Sequence, residues 1–361
     1  MKNIYKTFLF ALLIPAISFG FNIDKKKQEK SKTIKKEYSV NSDATVLIDN
    51  KYGNINVTTW NKNKVEIEVK ITVKGYDLDR VEEKLESIDV NFNASASLVE
   101  AKTIIEGKRN NWSWWGKSKN ISYKINYTIK MPESNNVDLD NDYGNIYLDK
   151  LSGKGYINCD YGKIEIGELR NDVNKINLDY CSRSTISYMK NGNVNIDYSK
   201  LTIDESGDVK LNTDYSTTEF GKVNNINFNA DYGNVSIDEV NTVKGNSDYT
   251  SMRFGTLSKS LVVDTDYGSI KIKKLKKGFE KIDISSQYAG VTIGLEPGNS
   301  FNFIIDLQYA GLSSDGNFDF YKKIVKSSKK YYEGTYGKGK SNSTIRINSQ
   351  YGGVSIKEKY Q

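Results

Sequence analysis

Apolar and polar residues alternate along most of the chain in a pattern that recurs every 17 to 21 residues around a tyrosine. Apolar side chains stand four residues before most of these tyrosines and three and five residues after them, with mostly polar residues between them. Alternation of period two on both sides predicts two short strands per repeat, each with one buried face. The repeat tyrosines are Tyr143, Tyr161, Tyr180, Tyr198, Tyr215, Tyr232, Tyr249, Tyr267, Tyr288 and Tyr309, with outlying members Tyr52 and Tyr351.

The alternation changes phase by one residue at each tyrosine, which indicates a corner between the two strands. This phase places the tyrosine on the inward side and the preceding residue, usually Asp, on the outward side. The residue after the tyrosine is always small, and Thr250, Ala289 and Ala310 occur there as well as Gly. Crowding at the corner therefore explains the glycines better than a required positive φ.

A repeat of this length cannot bury its apolar face alone, but stacked copies can bury it against one another. The predicted fold class is all-β: a parallel β-helix (β-solenoid) of 17–21-residue turns with a strand-rich N-terminal cap. At about 4.8 Å per turn, a dozen turns would make a rod of roughly 50–60 Å.

The period is lost between Tyr52 and Tyr143. In that block the pattern predicts a helix over residues 77–85 with Asp77 as its N-cap, and several strands. Residues 108–120 form the tip of a predicted hairpin, and the block as a whole is interpreted as a cap. A second interruption, residues 313–343, is expected to close the other end. The predicted strands cover residues 65–73, 88–96, 98–105 and 121–131.

The N-terminus is typical of a secretory signal peptide. Lys2 and Lys6 precede an apolar run that ends in small residues, and the run is half as long as a membrane span requires. We therefore expect export to the periplasm, the cell surface or the medium, without a transmembrane span. The predicted organisation is a signal peptide at 1–20, a lysine-rich linker at 21–40, the cap at 41–135, β-solenoid repeats at 136–312, and an insertion with the final turns at 313–361.

The formal net charge is +7, and much of the excess lies in a run of lysines between residues 25 and 36. Such a run is either an arm for anionic lipid or polysaccharide or a solvated linker, and the general behaviour of charge runs favours the linker. An exported protein is also a poor candidate for nucleic-acid binding.

The two cysteines, Cys159 and Cys181, could form a disulfide in an oxidising compartment. They stand three places apart in repeat register, which is roughly 10 Å along a strand and beyond disulfide reach. We therefore interpret them as small residues in the wall of the solenoid.

Asp precedes the tyrosine in eight consecutive repeats, from Asp142 to Asp266. Carboxylates about 4.8 Å apart repel by nearly 1 kcal/mol even in water, so a compensating interaction is expected. Asx-turn hydrogen bonds from the backbone are the favoured explanation, and calcium is the alternative because it binds carboxylate oxygens. The calcium candidates are Asp197, Asp214, Asp231 and Asp248.

Three of the four tryptophans, Trp112, Trp114 and Trp115, lie in the hairpin tip among Gly, Ser and Lys. Aromatic rings beside cations suit sugar faces, lipid headgroups or a protein partner, and a tip folded back onto the cap explains them equally well. This segment is the candidate binding loop.

Other features argue against catalysis. Residues 334–341 match a phosphate-loop pattern, but the sequence predicts a strand over 343–348 where that motif needs a helix, so nucleotide binding is rejected. The chain has no histidine, which removes His-dependent triads and most zinc sites. We predict a protein that is not an enzyme, with no catalytic residues and no cofactor other than the calcium alternative.

Residues 136–148, with the ending Gly-Lys-Gly at 337–339 and Tyr-Gly-Gly-Val at 351–354, resemble the bacterial putative-adhesin families with β-strand repeats. The segment from Thr59 to Pro132 is similar to members of those families that carry a tryptophan loop. The resemblance implies a β-solenoid of unknown function and supplies no site residues.

The leading hypothesis is an exported cell-envelope or surface β-solenoid that serves as a non-enzymatic binding or adhesion scaffold. Its partner would be a cell-surface glycan or an envelope protein. One alternative is a polysaccharide lyase or hydrolase, which would need acidic and basic groups that break the repeat symmetry in a groove. A third hypothesis is an envelope-stress or regulatory accessory protein.

Overall fold

The computed structural model describes residues 26–106 and 121–358. Within these residues the chain is all-β, with 22 strands and one helix, α1 (Leu78–Glu86). The strands are β1 (Gln28–Ser39), β2 (Thr45–Lys51), β3 (Ile55–Trp60), β4 (Lys64–Gly75), β5 (Ile88–Ala94), β6 (Leu98–Ile105), β7 (Ser122–Pro132), β8 (Asn136–Asp142), β9 (Asn145–Leu151), β10 (Gly155–Asp160), β11 (Lys163–Leu169), β12 (Asn174–Asp179), β13 (Ser184–Asp197), β14 (Lys200–Asp214), β15 (Thr217–Leu275), β16 (Lys281–Leu295), β17 (Phe301–Gln308), β18 (Leu312–Ser314), β19 (Phe318–Val325), β20 (Lys329–Tyr336), β21 (Thr344–Gln350) and β22 (Val354–Lys357).

The 22 strands form one large sheet, in which most strands pair in parallel with their counterparts in neighbouring repeats. The strand before the tyrosine in one repeat, β10, pairs with β8 and β12, while the strand after it, β11, pairs with β9 and β13. The register places equivalent repeat positions side by side, so that Asp160 pairs with both Asp142 and Asp179. The strands before and after the tyrosine therefore each align with the equivalent strands on both sides.

The core consists of the side chains on the inward face of each strand. The positions four before and three and five after the tyrosine are buried in almost every repeat, as alternation predicts. In the repeat of Tyr198, for example, Val194, Leu201 and Ile203 are fully buried. Each buried side chain packs against its counterparts in the neighbouring repeats, so the apolar interior is continuous along the sheet.

The corner has the predicted change of phase, but the predicted inward tyrosine is wrong. All twelve repeat tyrosines adopt a left-handed conformation, with φ from 46° at Tyr215 to 62° at Tyr52, and their side chains are exposed. The turn in the backbone points the ring outward beside the preceding Asp and returns the following residue to the interior. Crowding explains the glycines, as expected: a Cβ on Gly144 would lie 1.8 Å from the carbonyl oxygen of Gly53.

The block between Tyr52 and Tyr143 contains the predicted helix and strands. Strands β6 and β7 pair in parallel with β2 and β3 and so extend the repeat pattern by one layer. Beyond them the pairing becomes antiparallel, from β7 to β4, from β4 to β1, and from β6 to β5. Helix α1 begins after Asp77, whose carboxylate accepts a hydrogen bond from the N–H of Arg80 at 3.3 Å.

The expectation of a linker at 21–40 is wrong for residues 28–39, because they form strand β1. This strand pairs with β4 along its whole length. Its lysines form ion pairs across the sheet and with α1, at 2.9 Å from Lys35 to Glu68 and 2.9 Å from Lys30 to Glu82. In the described residues β1 pairs only with β4, and lysines on such an edge disfavour pairing with another chain.

The last strands are arranged out of chain order. Strand β21 lies between β16 and β17 and pairs in parallel with both. On its other side, β17 pairs antiparallel with β20, which pairs antiparallel with β19. Strand β21 also confirms the predicted strand after the phosphate-loop pattern. No helix among the described residues is long and apolar enough to cross a membrane.

Candidate functional surface

The repeat tyrosines form one continuous stack on the outside of the sheet, here called the tyrosine stack. Neighbouring ring centroids are 4.6–5.1 Å apart and their planes are within 8° of parallel. At about 4.8 Å per step the stack is roughly 50 Å long. Its order is Tyr52, Tyr143, Tyr161, Tyr180, Tyr198, Tyr215, Tyr232, Tyr249, Tyr267, Tyr288, Tyr351 and Tyr309.

Stacking offsets the backbone cost of the corner. A left-handed conformation costs a residue with a Cβ about 1–2 kcal/mol, and an aromatic pair contributes about 0.5–1.5 kcal/mol beyond its buried area. The two effects are similar in size, so each tyrosine contributes little net stability. Because each ring covers the faces of its neighbours, the surface presents ring edges and hydroxyl groups, with 39–57% of each tyrosine exposed.

The two ends of the tyrosine stack differ. At one end Tyr52 meets the ring of Tyr123 nearly edge-on, with centroids 5.1 Å apart. The ammonium of Lys84 lies 4.7 Å from the centroid of the Tyr123 ring, and burial lowers the pKa of this lysine. At the other end stands Tyr309, the most exposed of the twelve.

The outward aspartates form a second line beside the tyrosine stack, here called the aspartate column. It comprises the eight aspartates from Asp142 to Asp266, one in each consecutive repeat. Burial raises the pKa of Asp160 and Asp197, and the neighbouring carboxylates raise it further. Within the described residues only Asp142 among the eight takes part in an ion pair, at 3.0 Å from Lys51.

The expected Asx-turn bonds are not found for the aspartate column within the described residues. Instead, the tyrosine N–H donates to the backbone carbonyl of Asp in the next repeat, for example from Tyr143 to Asp160 at 2.9 Å and from Tyr161 to Asp179 at 3.0 Å. Backbone bonds between repeats therefore hold the corner. The carboxylates of the column are half-buried or exposed, and Oδ1 of Asp214 is buried without a hydrogen-bond partner among the described residues.

A line of asparagines, not anticipated from the sequence, runs along the other side of the aspartate column. The side-chain amide of Asn195 donates to Asn177 and that of Asn212 donates to Asn195, both at 2.8 Å. The signal was present in the sequence, because Asn recurs three residues before the tyrosine in several repeats. These bonds join successive repeats through side chains. The line is Asn158, Asn177, Asn195, Asn212, Asn229 and Asn246.

The calcium candidates lie in successive repeats of the aspartate column. Asp214 pairs with Asp197 on one side and with Asp231 on the other, and Asp248 belongs to the following repeat. Each repeat supplies one carboxylate to a straight line. In the part of the chain that the structure describes, no group of three or more acidic or thiol side chains converges in a way that could hold a metal ion. Calcium binding stays a prediction from the sequence.

The remaining residues singled out from the sequence are the three tryptophans of the candidate binding loop and the two cysteines. Trp112, Trp114 and Trp115 lie outside the described residues. Cys159 and Cys181 are buried free thiols in the sheet, as expected, but the estimate of their separation is wrong. The corner at Tyr180 shortens the path, and the Cys181 thiol donates to the carbonyl oxygen of Cys159 at 3.0 Å.

A shallow groove of about 520 Å³ crosses consecutive repeats near the strand starts. Polar side chains and the apolar Val173, Val209 and Ile226 line it. Its acidic members are already bonded: Asp172 accepts from Lys190 at 2.9 Å, and Asp208 accepts from Asn225 at 2.8 Å. The predicted break in the repeat is present at Arg183, which is left-handed and exposed. No acidic partner of Arg183 is found in the described residues.

Known proteins are similar to this chain only distantly. No family model matches it, and no curated protein matches it. It is similar to a putative cell adhesion protein from Clostridium sporogenes, with 13% identity, 91% of this chain and 99% of that chain covered, and a TM-score of 0.20. It is also similar to a putative adhesin from Parabacteroides merdae, with 11% identity and a TM-score of 0.35. The match covers 72% of this chain and 95% of that chain.

A third similar structure is a putative lipid binding protein from Parabacteroides distasonis, with 8% identity and a TM-score of 0.30. The match covers 90% of this chain and 96% of that chain. These identities and TM-scores are too low to support an argument about function. The class that the structure itself defines is an all-β protein with a large, mostly parallel sheet.

Proposed function

We propose that this protein is an exported β-solenoid of the cell envelope or cell surface that acts as a non-enzymatic binding scaffold. The parallel, in-register pairing of each repeat with the next supports the solenoid. The tyrosine stack and the aspartate column are the proposed contact surface.

The conformation of the tyrosines is the observation that carries this proposal. The corner requires a residue that tolerates positive φ, a requirement that Gly or Asn meets at lower cost than Tyr. All twelve corners nevertheless carry an exposed tyrosine. Because the apolar core is complete without these rings, their retention is best explained by what they present to solvent.

The chemistry of the surface favours a glycan that lies along the stack. Ring faces are covered within the stack, and Tyr123 packs against Tyr52 at one end, so flat stacking of a sugar is restricted to the end at Tyr309. Phenol hydroxyls and carboxylates remain, and both form hydrogen bonds with sugar hydroxyl groups. A linear glycan would meet the same pair of groups at every repeat, and many weak contacts would add up along the stack.

The regularity of the surface is the reason to propose binding without catalysis. General acid–base chemistry needs two titratable groups with different environments. From Asp160 to Asp248 each carboxylate of the aspartate column has an aspartate on both sides, so the repeat singles out no acid–base pair there.

The test measures retention and product release on a panel of polysaccharides. The variant carries Tyr198→Asn, Tyr215→Asn and Tyr232→Asn, because Asn tolerates the left-handed corner. The matched control replaces Tyr156 and Tyr321, which are exposed tyrosines outside the stack, with Asn. A separate Trp114→Ala variant tests the candidate binding loop.

We expect retention on at least one polysaccharide, a loss of at least tenfold in the triple variant and no loss in the control. Release of sugar product would overturn the non-enzymatic assignment. Equal binding by the triple variant would exclude the tyrosine stack, and a loss confined to Trp114→Ala would place the site in the tryptophan loop. Failure to bind any glycan would make an envelope protein the better partner.

A further inference from the structure

The only two cysteines of the chain occupy one pair of positions that the corner brings together. Cys159 stands two residues before its tyrosine, and Cys181 stands one residue after the tyrosine of the next repeat. Both side chains are buried, and the Cys181 thiol is 3.0 Å from the carbonyl oxygen of Cys159. The Cys159 thiol donates to the carbonyl oxygen of Gly144 at 3.4 Å, and the nearby Cys181 thiol together with burial raises the pKa of Cys159.

The hydrogen bond at this corner does not itself require cysteine. The equivalent position carries Ser216 and Thr250 in later repeats, and their hydroxyls donate to the equivalent carbonyls, of Ile196 at 3.3 Å and of Ala230 at 2.9 Å. The partner position carries Leu178 or Ile196 in the following repeats. Either thiol could therefore be replaced without disturbing the corner, yet both positions carry cysteine, and the Cys181 thiol lies against the backbone of Cys159.

We propose that Cys159 and Cys181 form a disulfide that links two neighbouring repeats. The oxidant is a second disulfide, either a small molecule or an exchange protein. One cysteine, as its thiolate, attacks that disulfide and releases one thiol. The other cysteine then displaces the second thiol and completes the Cys159–Cys181 bond. Two electrons and two protons pass to the oxidant.

The position of the link has a structural consequence. Arg183, two residues after Cys181, is the only non-glycine residue besides the repeat tyrosines with positive φ in the described chain, and it marks an extra residue in the turn. The link would tie this irregular corner to the regular repeat before it. It does not depend on the proposed binding role.

The experiment counts thiols in the full chain. Folded protein, and protein refolded with oxidised and reduced glutathione, is denatured in an alkylating agent and weighed by mass spectrometry. We expect no alkylation and a mass lower by two hydrogen atoms, with tryptic peptides 155–163 and 176–183 joined. Reduction should release both peptides and restore two alkylation sites.

Thermal unfolding distinguishes a disulfide that stabilises the fold from one that forms without stabilising it. The oxidised protein should unfold several degrees above the reduced protein, because the link restricts the unfolded chain. Cys181→Ser copies the residue of later repeats and should unfold at one temperature with or without reductant. Two free thiols after both treatments, an intermolecular disulfide, or a lower unfolding temperature on oxidation would each overturn the proposal.

Discussion

At the scale of the residue, the corner tyrosine combines an unfavourable backbone conformation with favourable stacking on the neighbouring rings. Its left-handed φ costs about 1–2 kcal/mol for a residue with a Cβ, and its ring recovers a similar amount from the rings above and below. Interior members such as Tyr215, with φ of 46° and rings at 5.1 and 4.8 Å, have two such neighbours.

Substitutions at Tyr215 should separate these two effects. Tyr215→Asn and Tyr215→Val both remove the ring, but Val is β-branched and is strongly disfavoured at positive φ. We expect Tyr215→Val to lower the free energy of unfolding by about 1–2 kcal/mol more than Tyr215→Asn. Urea unfolding measures the difference.

The matched control is Tyr156, an exposed tyrosine within strand β10. There Val suits the extended backbone, so Tyr156→Val should be no less stable than Tyr156→Asn. The same order at both positions would show that the left-handed corner is not what distinguishes the two substitutions.

At the scale of the element, a buried polar network joins the first repeat to the layer before it. The side-chain amide of Asn50 donates to Asn141 at 2.9 Å and to the carbonyl of Ile125 at 3.2 Å. Thr103 donates to Asn50 at 3.1 Å and lies 2.8 Å from the hydroxyl of Tyr127, whose pKa burial raises. Strands β2, β6, β7 and β8 therefore meet at one side chain.

Replacing Asn50 with Leu should loosen this junction. The substitution leaves buried groups of Asn141 and Thr103 with fewer partners, which costs about 1–3 kcal/mol in unfolding free energy. Asn158→Leu is the control, because Asn158 donates to Asp140 at an exposed position and should change stability by about 0.5 kcal/mol or less. Equal effects in denaturant unfolding would contradict a special role for Asn50.

At the scale of the whole molecule, like charges are gathered on one line although the chain has a net positive charge. The raised pKa values of Asp160 and Asp197 mean that folding favours the protonated carboxyl groups. Their stabilising contribution is complete below the unfolded carboxyl pKa and is lost as pH rises through the raised folded value. At neutral pH the ionised column therefore weakens the fold.

Asp197→Asn should accordingly raise the unfolding temperature at pH 7. The gain should shrink towards pH 3, where the wild-type carboxyl is also largely neutral, and shrink in high salt, where exposed charges are screened. Asp172→Asn is the control, since it removes an ion pair with Lys190 and should give no gain. A gain of Asp197→Asn that is independent of pH would indicate packing instead of charge.

Much of the architecture follows from the sequence alone. Period-two alternation reports which side of a strand is buried, so it predicted the repeat, its corner and the elements β4, α1, β5, β6 and β7. These features depend on residues close together in the chain, where the pattern of side chains directly reflects the local backbone.

Contacts between distant residues decided the rest. The tyrosines face outward because each ring stacks on rings 17 or more residues away, which alternation within one strand does not record. Residues 28–39 became a strand because β4 supplies their hydrogen bonds and ion-pair partners. Strand β21 lies between β16 and β17, and the corner at Tyr180 brings the Cys181 thiol to the backbone of Cys159. Sequence periodicity determines which face is buried, whereas only the tertiary structure determines which distant residues meet on the other face.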